Sequence, residues 1–548
     1  MPSPRFSVIT PIYETPPAVL TAMLRSVRRQ SFEDWELCLV DDASPSPYVG
    51  EMLAAAAAAD PRIKVTTRAA NGGIVPASND ALAIAGGEFV AFLDHDDALH
   101  PDALALVAEA IGDDPTVDFV YTDEDKIDEG SHHMGPFFKP DWSPERMRTQ
   151  MYTCHLSVMR RSLVDEVGGF DAEFEGSQDW DLVLRVSERA RRIVHVPRVL
   201  YHWRTLATST AGGGEEAKPW AFEAGTRAIQ AHCDRTGVPA VASRDTEHPG
   251  VYTLEPKLEH EPSVSIVIPT GGTVREIRYE PQVLVERCVR SIVETSTYSN
   301  YEIVVVVDHD TDPAIFTRLA EIGGERLKLV DFDRRFNFSE KINRGAVHSD
   351  AELLLLLNDD MEVVTPNWIE RLAMYASLPG VGAVGGKLIW EDGRLQHVGI
   401  TFEEGGLPGH LYYGFAGDWN GYSNSVLVAE NLLAVTGACM MTSRAEFDRV
   451  GGFSPTFPMN YNDMDYCLKL VSQGSRVVYD PGTVLYHFES SSRDTEVEEW
   501  EKEELQARWM PIVARDPYSN PNLWQGVPRL SSPLSWMRRR PPRLPWRR

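Results

Sequence analysis

Glu88-Phe-Val-Ala-Phe-Leu-Asp-His-Asp96 returns later in the chain as Glu352-Leu-Leu-Leu-Leu-Leu-Asn-Asp-Asp360. Each is a short apolar run of buried-strand type that ends in carboxylates. Outward from this pair, the flanking segments return as well, in the same order. Ser7-Val-Ile-Thr-Pro11 is matched by Ser265-Ile-Val-Ile-Pro269, and Trp35-Glu-Leu-Cys-Leu-Val-Asp-Asp42 by Tyr301-Glu-Ile-Val-Val-Val-Val-Asp308. Val167-Gly-Gly-Phe170 is matched by Val450-Gly-Gly-Phe453, Asp179-Trp-Asp181 by Asp463-Met-Asp465, and Tyr201-His202 by Tyr486-His487. Chance accounts for one or two such matches, not for an ordered series. The period is far longer than a solenoid repeat, so the chain reads as a duplicated domain.

Both copies open alike. A β-branched run (Phe6–Thr10; Val264–Ile268) ends at proline, and a helical stretch follows (Leu20–Arg29; Val283–Thr295). A second apolar strand (Glu36–Val40; Ile303–Val307) then ends in aspartate. Strands alternating with helices predict an α/β fold with a mostly parallel, Rossmann-like sheet covered on both faces. In such sheets ligands bind beyond the carboxyl ends of the strands. Asp41, Asp42, Asp94, Asp96, Asp308 and Asp360 all fall there.

The chain has 548 residues, which calls for two or three domains. The divisions read from the sequence are 1–211 for the first copy, 212–262 for a linker containing a helix at Trp220–Thr236, 263–515 for the second copy, and 516–548 for a Pro/Arg-rich tail. Lys and Arg number 53 against 81 Asp and Glu, a net charge of -28 that would repel a phosphate backbone and argues against nucleic acid as a partner. The 6 cysteines are scattered and form no CxxC pair, which fits a reducing compartment. The opening residues lack a charged segment followed by an apolar one, and no apolar run approaches the ~20 residues of a membrane span. A cytoplasmic protein is therefore expected.

Asp94-His-Asp96-Asp97 follows a buried-strand run, where clustered carboxylates are costly unless a cation joins them. Hard oxygen ligands suit Mg²⁺ or Mn²⁺, which bind one or two carboxylates together with substrate phosphates. The competing reading is a solvated turn capping the helix predicted at Pro101–Ile111. The recurrence as Asn358-Asp-Asp360 favours the cation. Gln178-Asp-Trp-Asp-Leu-Val-Leu-Arg185 predicts a helix with Asp179 in its first turn, and Asp463 repeats it. Such a carboxylate can cap the helix or act as a general base. His202 and His487, each after a tyrosine at the end of a strand, share a pattern that favours a common role such as metal ligation.

These motifs resemble the GT-A fold of family 2 glycosyltransferases over residues 6–205 and 264–495. The resemblance rests on the opening strand with Pro11 and Tyr13, the Asp41-Asp42 pair, Asp94 and Asp96, the Gln178–Arg185 segment and the late His202. The first copy adds Tyr121-Thr-Asp-Glu-Asp-Lys126, Pro136-Phe-Phe-Lys-Pro-Asp-Trp142 and Leu200-Tyr-His-Trp-Arg204. Together these are similar to tandem bacterial enzymes of O-antigen and rhamnan assembly. The resemblance implies two GT-A domains that bind a nucleotide sugar through Pro11, Tyr13, Asp41 and Asp42, with Asp308 in the second copy. It implies Mn²⁺ or Mg²⁺ held by Asp94, Asp96 and His202, and by Asp359, Asp360 and His487. It assigns the general base to Asp179 and Asp463. The implied donor is a dTDP- or UDP-sugar, with rhamnose on dTDP the first expectation, and the acceptor a glycan, free or polyprenyl-linked.

The second copy departs from the pattern at Val307, Asn358 and Pro269-Thr-Gly-Gly-Thr273, which lacks a counterpart of Tyr13. The leading expectation is a bifunctional, inverting transferase building a cell-surface polysaccharide. One catalytic copy beside a glycan-binding or scaffolding copy is the alternative. A sugar nucleotidyltransferase ranks below both, since no basic Gly-rich loop stands near either opening strand. The closing segment Trp536–Arg548 interleaves arginines with tryptophan, a composition suited to an anionic membrane surface, so peripheral attachment at the inner face of the plasma membrane is a further expectation.

Overall fold

The computed structural model describes residues 3–205, 219–403, 405–488, 497–524 and 526–528. Apolar runs form the strands and amphipathic segments the helices between them. The strands of the first copy are β1 (Phe6–Ile12), β2 (Trp35–Asp41), β3 (Ile63–Thr67), β4 (Phe89–Phe92), β5 (Ala98–Leu99), β6 (Val117–Ile127), β7 (His133–Phe137), β8 (Ser157–Arg160) and β9 (Arg192–Arg204). They lie in the order β3-β2-β1-β4-β8-β6-β9-β5, with β7 pairing β6. β3, β2, β1 and β4 run parallel, as do β6 and β9, while β8 runs antiparallel between β4 and β6. The helix Pro17–Arg28 makes the first crossover. It starts at a proline in the first turn and buries Leu20, Met23, Leu24 and Val27 on one stripe.

The second copy supplies β10 (Val264–Thr270), β11 (Tyr301–Asp308), β12 (Leu327–Phe332), β13 (Leu353–Leu357), β14 (Met361–Val363), β15 (Val381–Ile389), β16 (Cys439–Ser443) and β17 (Arg476–His487). Their order, β12-β11-β10-β13-β16-β15-β17-β14, repeats the first sheet strand for strand. The crossover helix Leu284–Thr295 buries Leu284, Val285, Cys288, Val289 and Ile292 on its inner face. Between β15 and β16 the second copy carries a longer excursion, 390–438, than the 128–156 that separates β6 and β8.

Two further repeats emerge from the packing. Asn79 exchanges both of its amide hydrogen bonds with the backbone of Phe170 (2.9 Å each), and Asn343 does the same with Phe453 (2.9 and 2.8 Å). The helix Pro219–Thr236, which the sequence assigns to the linker, packs on the first copy's Gln178–Ser187 helix. In the same manner Glu499–Val513 covers the second copy's Asn462–Ser472. The repeating unit therefore runs on through this cover helix.

The copies are packed against one another. One apolar cluster draws on both, from Ile9, Phe119 and Tyr121 to Ile266, Trp368 and Val478. Around it Arg146 pairs with Glu430 (3.1 Å), Arg476 with Glu145 (3.1 Å), and Ser143 Oγ donates to Asn431 (2.8 Å). The stretch read as tail begins with a packed segment. Asp516 is buried against Thr401 and Phe402 of the second copy, and Asn520 donates to Asp123 (3.1 Å) and the Lys139 carbonyl (2.9 Å) of the first. Trp536–Arg548 lies outside the described residues. Among those described, no helix is long and apolar enough to cross a membrane.

Candidate active site

The carboxyl ends of β1 and β4 open into a cavity of about 820 Å³. Pro11 and Tyr13 line it from the end of β1, Asp94 and Asp96 from the turn after β4, and Asp179 from the first turn of the Gln178–Ser187 helix. Trp220, on the cover helix, closes one side. It sits so near Gly176 that a β-carbon there would fall 2.3 Å from its ring, and Gly176 also has φ +93°, so glycine is required twice over.

Asp94 is half exposed, Asp96 is partly buried and Asp97 is fully buried. Burial raises the carboxyl pKa of Asp96, and the charge of Asp94 adds to it against His95 and Arg204. Asp97 is pushed well up by burial and by both neighbouring carboxylates. The Tyr201 hydroxyl braces this turn by donating to Asp97 (2.5 Å) and accepting from the Asp94 N–H (3.2 Å). Asp179 sits higher than an ordinary carboxyl because of burial and the charge of Asp94, opposed by His155 and the Trp180 N–H. Asp181 has no place in the cavity. Its carboxylate binds Arg185, whose other N–H groups hold the carbonyls of Val167 (2.7 Å) and Gly169 (2.8 Å), which fixes the helix to the Val167–Phe170 turn.

Asp41 and Asp42 lie beside the cavity, not in its lining. Asp41 caps the turn at Ser44 (3.1 Å). Asp42 is gripped by Arg68 (2.7 Å) and by the N–H groups of Gly72 (3.0 Å) and Gly73 (2.8 Å). This holds the loop that leads to Ile74 and Ser78 on the cavity wall.

His155, which no repeat in the sequence marks, belongs to the same cavity. It lines the cavity, stacks on Tyr201 (4.7 Å between centroids), and sets Nδ1 3.2 Å from Glu124 and Nε2 3.9 Å from Asp94. Burial pulls its pKa down, but Glu124, Asp94 and Asp97 outweigh this and raise it to about 9. Lys139 is buried beside it and clamps Glu124 (3.3 Å) and the Cys154 carbonyl (2.6 Å).

In the second copy the turn after β13 places Asn358 where Asp94 stands and Asp359 where His95 stands, since Val264 pairs with Leu353 as Phe6 pairs with Phe89. Asp359 accepts from Thr270 Oγ1 (2.6 Å). Asp360 lies 3.1 Å from His487 Nε2, and His487 Nδ1 is 2.8 Å from Gln396. Asp463 accepts from the Gly437 N–H (3.0 Å) at the head of its helix. Asp308 is paired with the buried Lys341 (2.6 Å).

The model of the family described as "Glycosyl transferase family 2" matches residues 7–168, and that of "Glycosyltransferase like family 2" matches 262–511. A PGL/p-HBAD biosynthesis glycosyltransferase of Mycobacterium bovis is 31% identical over 34% of this chain and 70% of its own length. The chain belongs to glycosyltransferase family 2. Two relatives match 95% of it: the uncharacterized protein y4gI of Sinorhizobium fredii at 40% identity, and the O-antigen biosynthesis protein RfbC of Myxococcus xanthus at 36%. The chain spans 58% and 40% of the lengths of these two.

Family 2 enzymes typically use a divalent cation, and the first copy's donor set fits one. Asp94 and Asp96 face the same cavity, and burial together with the charge of Asp94 drives the Asp96 carboxyl upward, which a bound cation would oppose. His202 does not join them. Val-Leu-Tyr-His occurs in both copies, at 199–202 and 484–487. In β9, however, Leu200 is bulged: Val199 opposes Asp123 and Tyr201 opposes Glu124. In β17, Val484 and Leu485 oppose Lys387 and Leu388 without a gap. A one-residue bulge turns every later side chain to the other face. Trp203 therefore lines the first cavity, in the register of His487, and His202 points the opposite way, onto Asp125 (2.7 Å).

Proposed function

We propose that this family 2 chain is a metal-dependent, inverting glycosyltransferase with one transfer site in each copy, adding sugars from dTDP- or UDP-linked donors to a growing cell-surface polysaccharide. The observation that carries the reading is the convergence of Asp94, Asp96 and Asp179 on one cavity. Asp94 and Asp96 would hold the cation, and Asp360 with His487 would do so in the second copy. The bound cation supplies positive charge against the leaving diphosphate. Asp179, raised above the ordinary carboxyl range, takes the proton of the acceptor hydroxyl as its oxygen forms the new bond at the anomeric carbon. The bond to the nucleoside diphosphate breaks on the opposite face of the sugar, so configuration inverts and no covalent enzyme intermediate is needed. His155, positively charged between Glu124 and Asp94, adds a cationic wall for the diphosphate. The names of the RfbC and mycobacterial relatives support a glycan-assembly role, and a polyprenyl-linked acceptor would bring the chain to a membrane surface.

The single-site alternative is favoured by Asn358 in the place of Asp94 and by Lys341 against Asp308. Release of nucleoside diphosphate from a panel of nucleotide sugars, with Mn²⁺ or Mg²⁺ and glycan acceptor, separates the readings. Two donors, one silenced by Asp96→Ala and the other by Asp360→Ala, are expected. One donor silenced by Asp96→Ala alone would leave the second copy a binding role. Release from no donor in the presence of acceptor would overturn the transferase reading.

A further inference from the structure

On the face of the first sheet that turns away from the cavity, three neighbouring strands bring together Asp125 (β6), His133 (β7) and His202 (β9). Asp125 and His202 are cross-strand partners in register, and His133 pairs with Ile127 two residues along β6. The carboxylate lies 2.7 Å from Nδ1 of His202 through one oxygen and 2.9 Å from Nδ1 of His133 through the other. The two rings meet edge to face, with centroids 4.6 Å apart. The ligand-capable atoms of the three residues all lie within 4.8 Å of one another. Asp125 is fully buried, His202 nearly so, and His133 retains 24% side-chain exposure. His100 stands behind, its ring 6.2 Å from that of His202.

The fold itself does not ask for these residues. At the same register in the second copy β15 carries Ile389 and β17 carries Tyr486, an uncharged pair on a sheet with the same strand order. A buried carboxylate costs desolvation that the first copy has accepted and the second has not. Among the described residues no lysine or arginine pairs with Asp125. Two imidazoles and one carboxylate, with one imidazole open to solvent, make the donor set that selects a first-row cation over Mg²⁺.

We propose that Asp125, His133 and His202 form a second metal site, specific to the first copy and separate from the donor cavity, which takes Zn²⁺. Tetrahedral Zn²⁺ with bonds of about 2.0–2.1 Å sets its ligand atoms ~3.3 Å apart. The present spacings to Asp125, 2.7 Å from His202 and 2.9 Å from His133, would widen by a few tenths of an ångström through rotation of the Asp125 carboxyl and of the partly exposed His133 ring. The ion replaces the protons now shared between the imidazoles and Asp125, and ties the β6–β7 hairpin to β9. The other face of β9 carries Tyr201 and Trp203 of the cavity, so the staple steadies the site from behind.

Metal analysis of the purified full chain after exhaustive dialysis against Mg²⁺ buffer tests this. Stoichiometric zinc is expected in the wild type and in Asp96→Asn, and background zinc in His133→Ala. Cobalt substitution should give the intense visible bands of a tetrahedral site in the same two proteins only. Because His133 is partly exposed, its removal should leave the chain folded, and far-ultraviolet circular dichroism of His133→Ala checks that. A wild type without stoichiometric metal, a His133→Ala protein that keeps it, or an Asp96→Asn protein that loses it would each overturn the proposal.

Discussion

At the scale of single residues, the first copy's cavity holds ionisable groups whose environments differ. Asp94 stays wet, Asp96 and Asp179 are pushed up by burial, and His155 is held positive by carboxylates. If Asp179 is the base, Asp179→Asn keeps shape and loses proton transfer. We expect turnover at the first copy's donor to fall about 10²–10⁴-fold with nucleotide affinity retained, read as kcat against the Kd for the nucleoside diphosphate. Asp181→Asn, two residues on, should instead lower stability and leave the chemistry to the surviving folded fraction. The sequence makes Asp94, Asp96 and Asp179 legible because they repeat. His155 is not legible in that way: the strand register sets Ala438 at its position in the second copy, so a search by internal similarity passes over it.

Secondary-structure elements are fastened to one another by a few polar side chains that recur in both copies. Asn79 and Asn343 hold the glycine turns at 167–170 and 450–453, and Arg185 and Lys469 tie the Gln178–Ser187 and Asn462–Ser472 helices to those same turns. Asn79→Ala or Asn343→Ala leaves a backbone N–H and a carbonyl of a phenylalanine without partners. Each should cost about 1–3 kcal/mol, measured as a shift in thermal unfolding. Helix and strand positions follow from periodicity and were legible. The asparagine clamps were not, since an isolated asparagine carries no periodic signal.

The molecule as a whole depends on the join between copies. Arg146 and Glu430 form an ion pair buried at that join, where desolvation is severe. Arg146→Met strands the carboxylate and should cost about 3–5 kcal/mol, whereas Arg146→Met with Glu430→Leu should recover most of that loss in denaturant unfolding. Asp516, packed between the second copy's Thr401 and Phe402, has its carboxyl pushed up to about 6 by burial against the N–H groups that lower it. A carboxyl raised in the folded state stabilises the fold fully below its unfolded value of ~4, and that contribution is lost as the pH climbs through about 6. Thermal unfolding should therefore drop across that window, and the drop should flatten in Asp516→Asn.

The sequence by itself determined the duplication, the α/β alternation and the acidic ends of the strands. These are local properties: side-chain period, breaker residues and composition are written into each segment without reference to its neighbours. Only the tertiary structure decided which of those side chains share a space. The two Val-Leu-Tyr-His segments are identical in sequence, yet one bulged leucine sends His202 to the back of the sheet and Trp203 to the cavity, while His487 faces Asp360. Pairing across strands sets that outcome, and pairing is non-local. The same holds for Asp516 and Asn520, which read as the start of a tail and are in fact buried against both copies, because burial depends on what the rest of the chain brings to meet them.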